Sequence, residues 1–340
     1  PAKAELVWQD AMNLVTDIKY NADSNGGNIS FKVDRSSIRQ GNAVIAIKDV
    51  SDAILWSWHV WVTDEDINNV IEITNHQNVK YNFMPVNLGQ CDGNTITYEE
   101  RSCKVKFIAG DQSKEITIKQ LANVIATGSN APFYQWGRKD PLYPSNGMGN
   151  TTKIWYDKEG IPSTANPMKG TFSAGNDCIK NCILNPNLMH NRYNGDYTYY
   201  NLWSADNKTT SANDNPVNKT IYDPCPVVFK LPASNAFTGF TTTGESVSSS
   251  TQVNGTWSSS EKGWYFYTNS EKTQSIFFPA LGYRSYSTMR PGSIGTQGCF
   301  WSAHPVAKGN NYYLRTSSVD VQPTYMVDRG FGYALRPCQD

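Results

Sequence analysis

Three short aromatic stretches decide the predicted fold: IFFPALGYR at Ile276–Arg284, GCFWS at Gly298–Ser302 and RGFGYALRPC at Arg329–Cys338. Each is rich in aromatic residues and is bounded by Gly or Pro, a pattern typical of strands joined by hairpins. We therefore expect the three stretches to lie in one sheet that closes a domain.

Further strands are predicted toward the N-terminus. Asn42–Ile47 is apolar enough for a buried strand, and Ile54–Val62 is apolar on both faces, which predicts a central strand. Thr95–Ile118 is expected to form a hairpin around a turn at Ala109–Asp111. Short helices are predicted at Gln120–Thr127, through its apolar spacing, and after Ser234, which is a typical N-cap residue.

Composition restricts the function classes. Thirty Lys and Arg balance thirty Asp and Glu, and a net charge near zero argues against a nucleic-acid-binding surface or a polybasic membrane anchor. The 10 Trp, 19 Tyr and 13 Phe stand among many polar residues, which favours an extracellular β-protein with ordered loops over a disordered chain. No run reaches the 18 apolar residues of a membrane span. Pro1–Glu5 leads directly into a strand, so we expect a mature or trimmed fragment.

The seven cysteines predict disulfides in an oxidising compartment. The preferred pairs are Cys91 with Cys103 and Cys225 with Cys338, Cys178 and Cys182 are candidates for a small closed loop, and Cys299 is left over. Because the chain has no CxxC pair, and its four histidines do not cluster with cysteines in sequence, no metal site is expected.

Residues 142–220 form a polar, Asn-rich excursion that is too long for an ordinary connection and indicates a functional loop or an inserted subdomain. Its aromatic side chains are the candidate ligand-binding residues, because exposed Trp and Tyr rings stack on sugar rings. They are Trp155, Tyr156, Tyr193, Tyr197, Tyr199, Tyr200 and Trp203. Asn-rich segments such as Asn213–Asn215 carry oxygen ligands suited to structural Ca²⁺, but a solvated loop is the favoured interpretation and no cofactor is predicted.

A set of motifs in fixed order resembles the Fibrobacter succinogenes major paralogous (FISUMP) family of Bacteroidetes surface domains. The motifs are Asn87–Gly89, Phe133–Pro141, Asp223–Pro226 with Leu231–Pro232, Pro279–Arg284, Phe300–Ser302 and Gly332–Cys338. The resemblance implies a β-rich α+β fold, namely a C-type lectin-like domain over residues 41–340. An N-terminal strand extension, residues 1–40, would pack on it, and the excursion at 142–220 would be a long loop insertion.

The resemblance also implies a cell-surface or fimbria-associated protein, held at the outer membrane only by a removed lipid anchor or by a pilus. We expect a non-catalytic adhesion module, in a pilus tip or surface lipoprotein, that binds a glycan or a host surface or matrix protein. Arg284, Trp301 and Arg336 are expected to be structural. One alternative is a pilus assembly or capping subunit that joins pilins by strand addition. A weaker alternative is an enzyme, either a hydrolase or an oxidase like the formylglycine-generating enzymes.

Overall fold

The structure is a computed structural model that describes residues 1–171, 175–190, 201–206 and 208–339; side chains of residues 94–96, 125–127 and 308 are not described. Strands account for 43% of the chain and helices for 7%. The prediction of an α+β, C-type lectin-like class is therefore wrong, and the fold is β-rich. Gln120–Thr127, predicted as a helix, supplies a strand instead, because its β-branched residues pair with an extended segment near Thr97.

The first seven strands precede residue 84 and build the N-terminal sheet and two flanking ladders. They are β1 (Lys3–Gln9), β2 (Thr16–Asn21), β3 (Asn28–Lys32), β4 (Gly41–Lys48), β5 (Ile54–Val62), β6 (Ile71–Thr74) and β7 (Lys80–Phe83). β1 pairs antiparallel with β4, and β4 with β5, which lies at the edge of its sheet. The predicted central position of β5 is therefore wrong.

A helix, α1 (Asn176–Leu184), packs on β5. β5 is therefore apolar on both faces because α1 covers part of it, although Trp58 remains 43% exposed. None of the helices in the described ranges is long and apolar enough to cross a membrane.

The next four strands form an exposed arm. They are β8 (Asn94–Tyr98), β9 (Arg101–Ala109), β10 (Gln112–Gln120) and β11 (Asn123–Thr127). Among the strands that the structure describes, β8 pairs only with β11, and β9 only with β10, in antiparallel register. We call residues 94–127 the arm. Its β9–β10 part is the predicted hairpin, turned at Gly110.

Short strands dominate the middle of the chain, where β13 joins the N-terminal sheet beside β1. β15 and β16 are parallel, and α1 lies between them in sequence. The strands are β12 (Tyr134–Gln135), β13 (Trp155–Tyr156), β14 (Pro162–Ser163), β15 (Met168–Gly170), β16 (Leu188–His190) and β17 (Phe229–Lys230). A 3₁₀ helix follows at Ser234–Phe240, where an N-capped helix was predicted; its N-cap residue is Ala233.

The remaining strands surround the main hydrophobic core. They are β18 (Gly255–Ser258), β19 (Gly263–Tyr267), β20 (Ser275–Pro279), β21 (Tyr283–Arg284), β22 (Pro291–Gly292), β23 (Gln297–Pro305), β24 (Asn310–Ser317), β25 (Val321–Asp328), β26 (Gly332–Tyr333) and β27 (Cys338–Gln339). Two short 3₁₀ helices occur at Ser250–Gln252 and Ala307–Gly309.

The three aromatic stretches share a sheet only in part. Arg284 of β21 pairs with Gly332 of β26, so the first and third stretches meet in the sheet β12–β26–β21–β22. β20 lies in the β18–β19–β20 sheet and β23 in the β23–β24–β25 sheet, so the expectation of one sheet for all three is wrong. Phe278 and Phe300 meet across the layers with ring centroids 5.0 Å apart.

Candidate functional site

A cleft opens beside α1, and the turn at 136–140 forms its other wall. The space within it that water can reach is about 50 Å³, which is room for a small group, whereas sites for whole small molecules commonly measure about 300–1,000 Å³. The lining comes from the turn, from one side of α1 and from three flanking positions: Trp136, Gly137, Arg138, Lys139, Asp140, Cys178, Ile179, Cys182, Ile183, His190, Leu202 and Tyr222. We call this space the α1 cleft.

Gly137 makes the turn possible. Its φ is +83°, and a Cβ at this position would lie 2.4 Å from Cδ1 of Leu202. Only glycine adopts this conformation at such close approach without strain. The turn therefore packs against Leu202 and brings the next three residues to the cleft wall.

Arg138 fixes α1 to the turn. Its guanidinium donates to the carbonyl oxygens of Leu188 at 2.5 Å and Pro186 at 3.0 Å, just past the helix C-terminus, where a cation is favoured. The side chain is only 5% exposed. Its Nε–H is buried and has no hydrogen-bond partner among the described residues. The cleft wall thus includes a cation that is held in place by the segment after α1.

Lys139 and Asp140 are buried as a pair. Nζ of Lys139 lies 2.8 Å from both carboxylate oxygens of Asp140 and donates to the carbonyl of Ser57 at 2.9 Å. Burial lowers the pKa of Lys139, and the Asp140 carboxylate opposes that shift. The ammonium also lies 4.4 Å from the ring centre of Trp56. Because each charge is satisfied by its neighbour, the pair serves to anchor the turn to β5.

Two cysteines and a histidine meet at the α1 side of the cleft. Cys178 and Cys182 are four residues apart and share one helix face, and His190 ends β16. Their sulfur and ring nitrogen atoms all lie within 4.8 Å of one another. The pKa of Cys182 is lowered, first because the Cys178 thiol hydrogen-bonds to it and then because Arg138 and His190 lie near, while the pKa of Cys178 is raised by the same hydrogen bond.

Gln135 holds the backbone of His190 in place. Its side-chain amide donates to the His190 carbonyl at 2.9 Å and accepts from the His190 N–H at 3.2 Å. Gln135 itself is fully buried and also donates to the carbonyl of Gly330 at 2.7 Å. The position of His190 is therefore set by the core.

The sequence does not predict the Cys178–Cys182–His190 cluster, because seven residues separate His190 from the cysteine pair along the chain. The available signal was the spacing Cys178-x3-Cys182-x7-His190. A four-residue spacing places both thiols on one face if the segment is helical, but helix formation in this polar stretch was not predicted.

The three predicted ligand-binding aromatics that the structure describes do not line the cleft. Trp155 and Tyr156 form β13, and Trp155 stacks on Tyr143 at 4.4 Å. Trp203 is fully buried beneath the cleft, where its ring packs on Trp136 and Nε1 donates to the Tyr222 carbonyl at 3.0 Å. Four further candidates lie outside the described residues: Tyr193, Tyr197, Tyr199 and Tyr200.

The three residues expected to be structural are buried. Nε1 of Trp301 donates to the carbonyl of Tyr134 at 2.8 Å. Arg284 donates to the carbonyls of Met289 at 2.6 Å and Tyr143 at 2.5 Å. Arg336 bonds residues 84–87 and 277. Burial lowers the pKa of both arginines to about 9.

The structure contains no disulfide bond among the seven cysteines, all of which lie in its described part. Burial raises the pKa of the Cys225 thiol, and Cys338 is near enough to add to that shift. Cys91 is buried, whereas Cys103 is exposed on the arm. The three pairings stay predictions.

No family model, no curated protein and no solved structure matches this chain. A functional proposal therefore starts from the geometry of the α1 cleft and of the arm.

Proposed function

We propose that this chain is a non-catalytic binding module at the cell surface, and that the α1 cleft receives an oxygen-bearing group of a glycan or of a host surface or matrix protein. The observation that carries the proposal is an open cleft in which Arg138 lies beside apolar side chains.

The rest of the lining suits such a ligand. Tyr222 and Leu202 provide apolar surface beside the guanidinium, and flat apolar faces next to a fixed donor are the usual elements of sugar and small-ligand sites. Lys139 and Asp140 neutralise each other, so this pair offers no free acid or base to a substrate. The surface placement rests on the resemblance to FISUMP domains.

Replacing Tyr222 by alanine is expected to weaken ligand binding about tenfold or more, since tenfold corresponds to about 1.4 kcal/mol and the substitution removes one wall of the cleft. A glycan array and a panel of host matrix proteins identify the ligand, and titration calorimetry measures the change. Trp155→Ala is the matched control, because Trp155 is a half-buried aromatic on β13. Loss of binding in Trp155→Ala with none in Tyr222→Ala would place the site on β13 and contradict the proposal.

The arm favours a second candidate function, assembly with a pilus subunit. The register of β9 and β10 places Val105 beside Ile116 and Cys103 beside Ile118. Phe107 follows on the same face, while Lys104 and Lys106 occupy the other. Phe107 is 58% exposed and Ile118 52%. Each of these strands also has one edge that no described strand pairs, and an open edge beside an apolar face is a template for strand addition.

Changing Ile116 and Ile118 together to lysine is expected to abolish a complex with a partner pilin. Both side chains are exposed, so the free energy of unfolding should change by less than about 1 kcal/mol. Size-exclusion chromatography of mixtures with candidate pilins reports the complex, and a Lys104→Ser/Lys106→Ser variant tests the opposite face. A complex that survives the isoleucine changes but is lost in the lysine variant would contradict an apolar docking face.

A further inference from the structure

We propose that Cys178, Cys182 and His190 bind one thiophilic divalent cation, with Zn²⁺ the ion that this ligand set prefers. The inference goes beyond the proposed binding function and stands without it, because it concerns the metal alone.

The geometry is close to what zinc requires. Zinc in proteins takes Cys and His ligands at about 2.3 Å to sulfur and about 2.0–2.1 Å to nitrogen, in a tetrahedron. Donor atoms around such an ion are roughly 3.5–3.8 Å apart, and the three atoms here already lie within 4.8 Å of one another. Closing the remaining distance of roughly an ångström needs only side-chain rotation.

The segments that carry the three ligands are held in place by hydrogen bonds that do not involve a metal. The helix that carries both cysteines is tied down at its C-terminal end by Arg138. The histidine is tied to the core through Gln135. Such preorganisation favours binding, because little conformational freedom is lost when the ion arrives.

The net charge of the metal-bound site is also compatible with its surroundings. Two thiolates and a neutral imidazole around Zn²⁺ carry no net charge, so the nearby Arg138 guanidinium is not placed against an excess positive charge. Cys182 is 9% exposed and His190 6%. In such a buried position the thiolates are better stabilised by a cation they coordinate than by water.

Three protein ligands leave one coordination position. Cys178 is half-buried and lines the α1 cleft together with the other two ligands, so that position faces the cleft. Zinc sites with three protein ligands hold water or a bound ligand at the fourth position, whereas closed structural sites use four protein ligands. The proposed site belongs to the open kind.

The main rival is a disulfide between Cys178 and Cys182, as predicted from the sequence. Both arrangements use the same two sulfur atoms, and they exclude each other. A disulfide does not need His190, whereas the metal site does. This difference makes the role of the histidine measurable.

The test uses the whole chain, stripped of metal under a reductant and titrated with Co²⁺ and then Zn²⁺. We expect one Co²⁺ per chain, with a thiolate-to-cobalt charge-transfer band and intense d–d bands typical of tetrahedral coordination, and displacement of cobalt by Zn²⁺. Cys178→Ser, Cys182→Ser and His190→Gln should each weaken binding at least tenfold. The matched controls Cys103→Ser and His76→Gln replace exposed residues of the same types and should bind as the unaltered chain does.

Thiol alkylation of the unaltered chain provides a measurement that does not depend on variants folding. Zinc should protect Cys178 and Cys182 from iodoacetamide, as read by mass spectrometry, and leave the labelling of Cys103 unchanged. Three results would overturn the proposal: a Cys178–Cys182 disulfide that persists under reductant, zinc binding unaffected by His190→Gln, or alkylation of the two thiols at the same rate with and without zinc.

Discussion

Replacing Arg336 with methionine is expected to lower the free energy of unfolding by about 1–4 kcal/mol. The guanidinium donates to Oδ1 of Asn87 at 2.7 Å and to the carbonyls of Pro85 at 2.8 Å and Phe277 at 2.7 Å. Methionine fills the volume of the stem but leaves these oxygens without donors. Each buried acceptor left unsatisfied costs about 1–3 kcal/mol.

One effect opposes this loss. Arg336 is 1% exposed, and burial holds its pKa at about 9. Holding a charge there is itself costly, by roughly 1.4 kcal/mol for each unit of pKa, so a pKa lowered from 12.5 to about 9 means that methionine recovers about 5 kcal/mol. Three orphaned acceptors in the upper part of their range cost about 6–9 kcal/mol together, which leaves a net loss of about 1–4 kcal/mol.

Urea unfolding at pH 7 measures the effect, with the slope checked for two-state behaviour. Arg290→Met is the control, because Arg290 is exposed and its replacement should stay within about 0.5 kcal/mol. A loss below 1 kcal/mol for Arg336→Met would show that the bonds to residues 84–87 and 277 contribute little.

Acid is expected to destabilise the fold well above the pH at which carboxylates titrate. Burial lowers the pKa of His59 and of His304 to about 4. His59 donates or accepts at both ring nitrogens, 2.9 Å from Oδ1 of Asn42 and 2.9 Å from the hydroxyl of Tyr134. Both imidazoles are therefore held neutral in the folded chain.

The sign follows from the depressed pKa values. As pH falls below about 6.5, the unfolded chain takes up protons on these histidines while the folded chain does not. The stability they contribute is complete above pH 6.5 and is lost as pH falls toward 4. The loss is about 2 kcal/mol for each histidine by pH 5 and about 3 kcal/mol by pH 4.

Unfolding measured from pH 7 to pH 5 tests the prediction in a range where carboxylates stay ionised. His59→Gln keeps a donor and an acceptor, so its stability should depend less on pH even if it is lower at pH 7. His76→Gln replaces an exposed histidine and should leave the slope unchanged. A slope that is the same in all three proteins would mean that His59 is accessible to protons.

The sequence predicts those structural features that depend on neighbouring residues alone. The β9–β10 hairpin follows from alternation and from Gly110, which turns at a φ of +61°. Arg336 could be named as structural because an arginine next to Gly- and aromatic-rich strands commonly donates to loop carbonyls. Its partners, in contrast, come from positions 84–87 and 277, and no local pattern relates those positions to it.

Features that depend on distant packing were not predictable. β5 resembles a central strand until α1, more than a hundred residues later, is seen to cover it. The α1 cleft depends on the packing of Leu202 against Gly137. The Cys178–Cys182–His190 cluster depends on a helix that the polar sequence does not predict. The helix predicted at Gln120–Thr127 failed for a related reason, since strand pairing at Asn123–Thr127 outweighs a weak helical spacing.

The seam between residues 83–88 and 335–338 has a consequence for synthesis. Met84 and Leu88 hydrogen-bond to the carbonyls of Pro337 and Leu335, and Arg336 reaches Asn87 across 249 positions. Contacts this distant in sequence form slowly and, on a ribosome, only after the later segment has emerged. The strands of the arm pair with one another within residues 94–127. The arm can therefore form before residues 335–338 have been synthesised. A nascent chain therefore exposes the apolar face of the arm well before the segments that flank the arm can pair with the C-terminal residues.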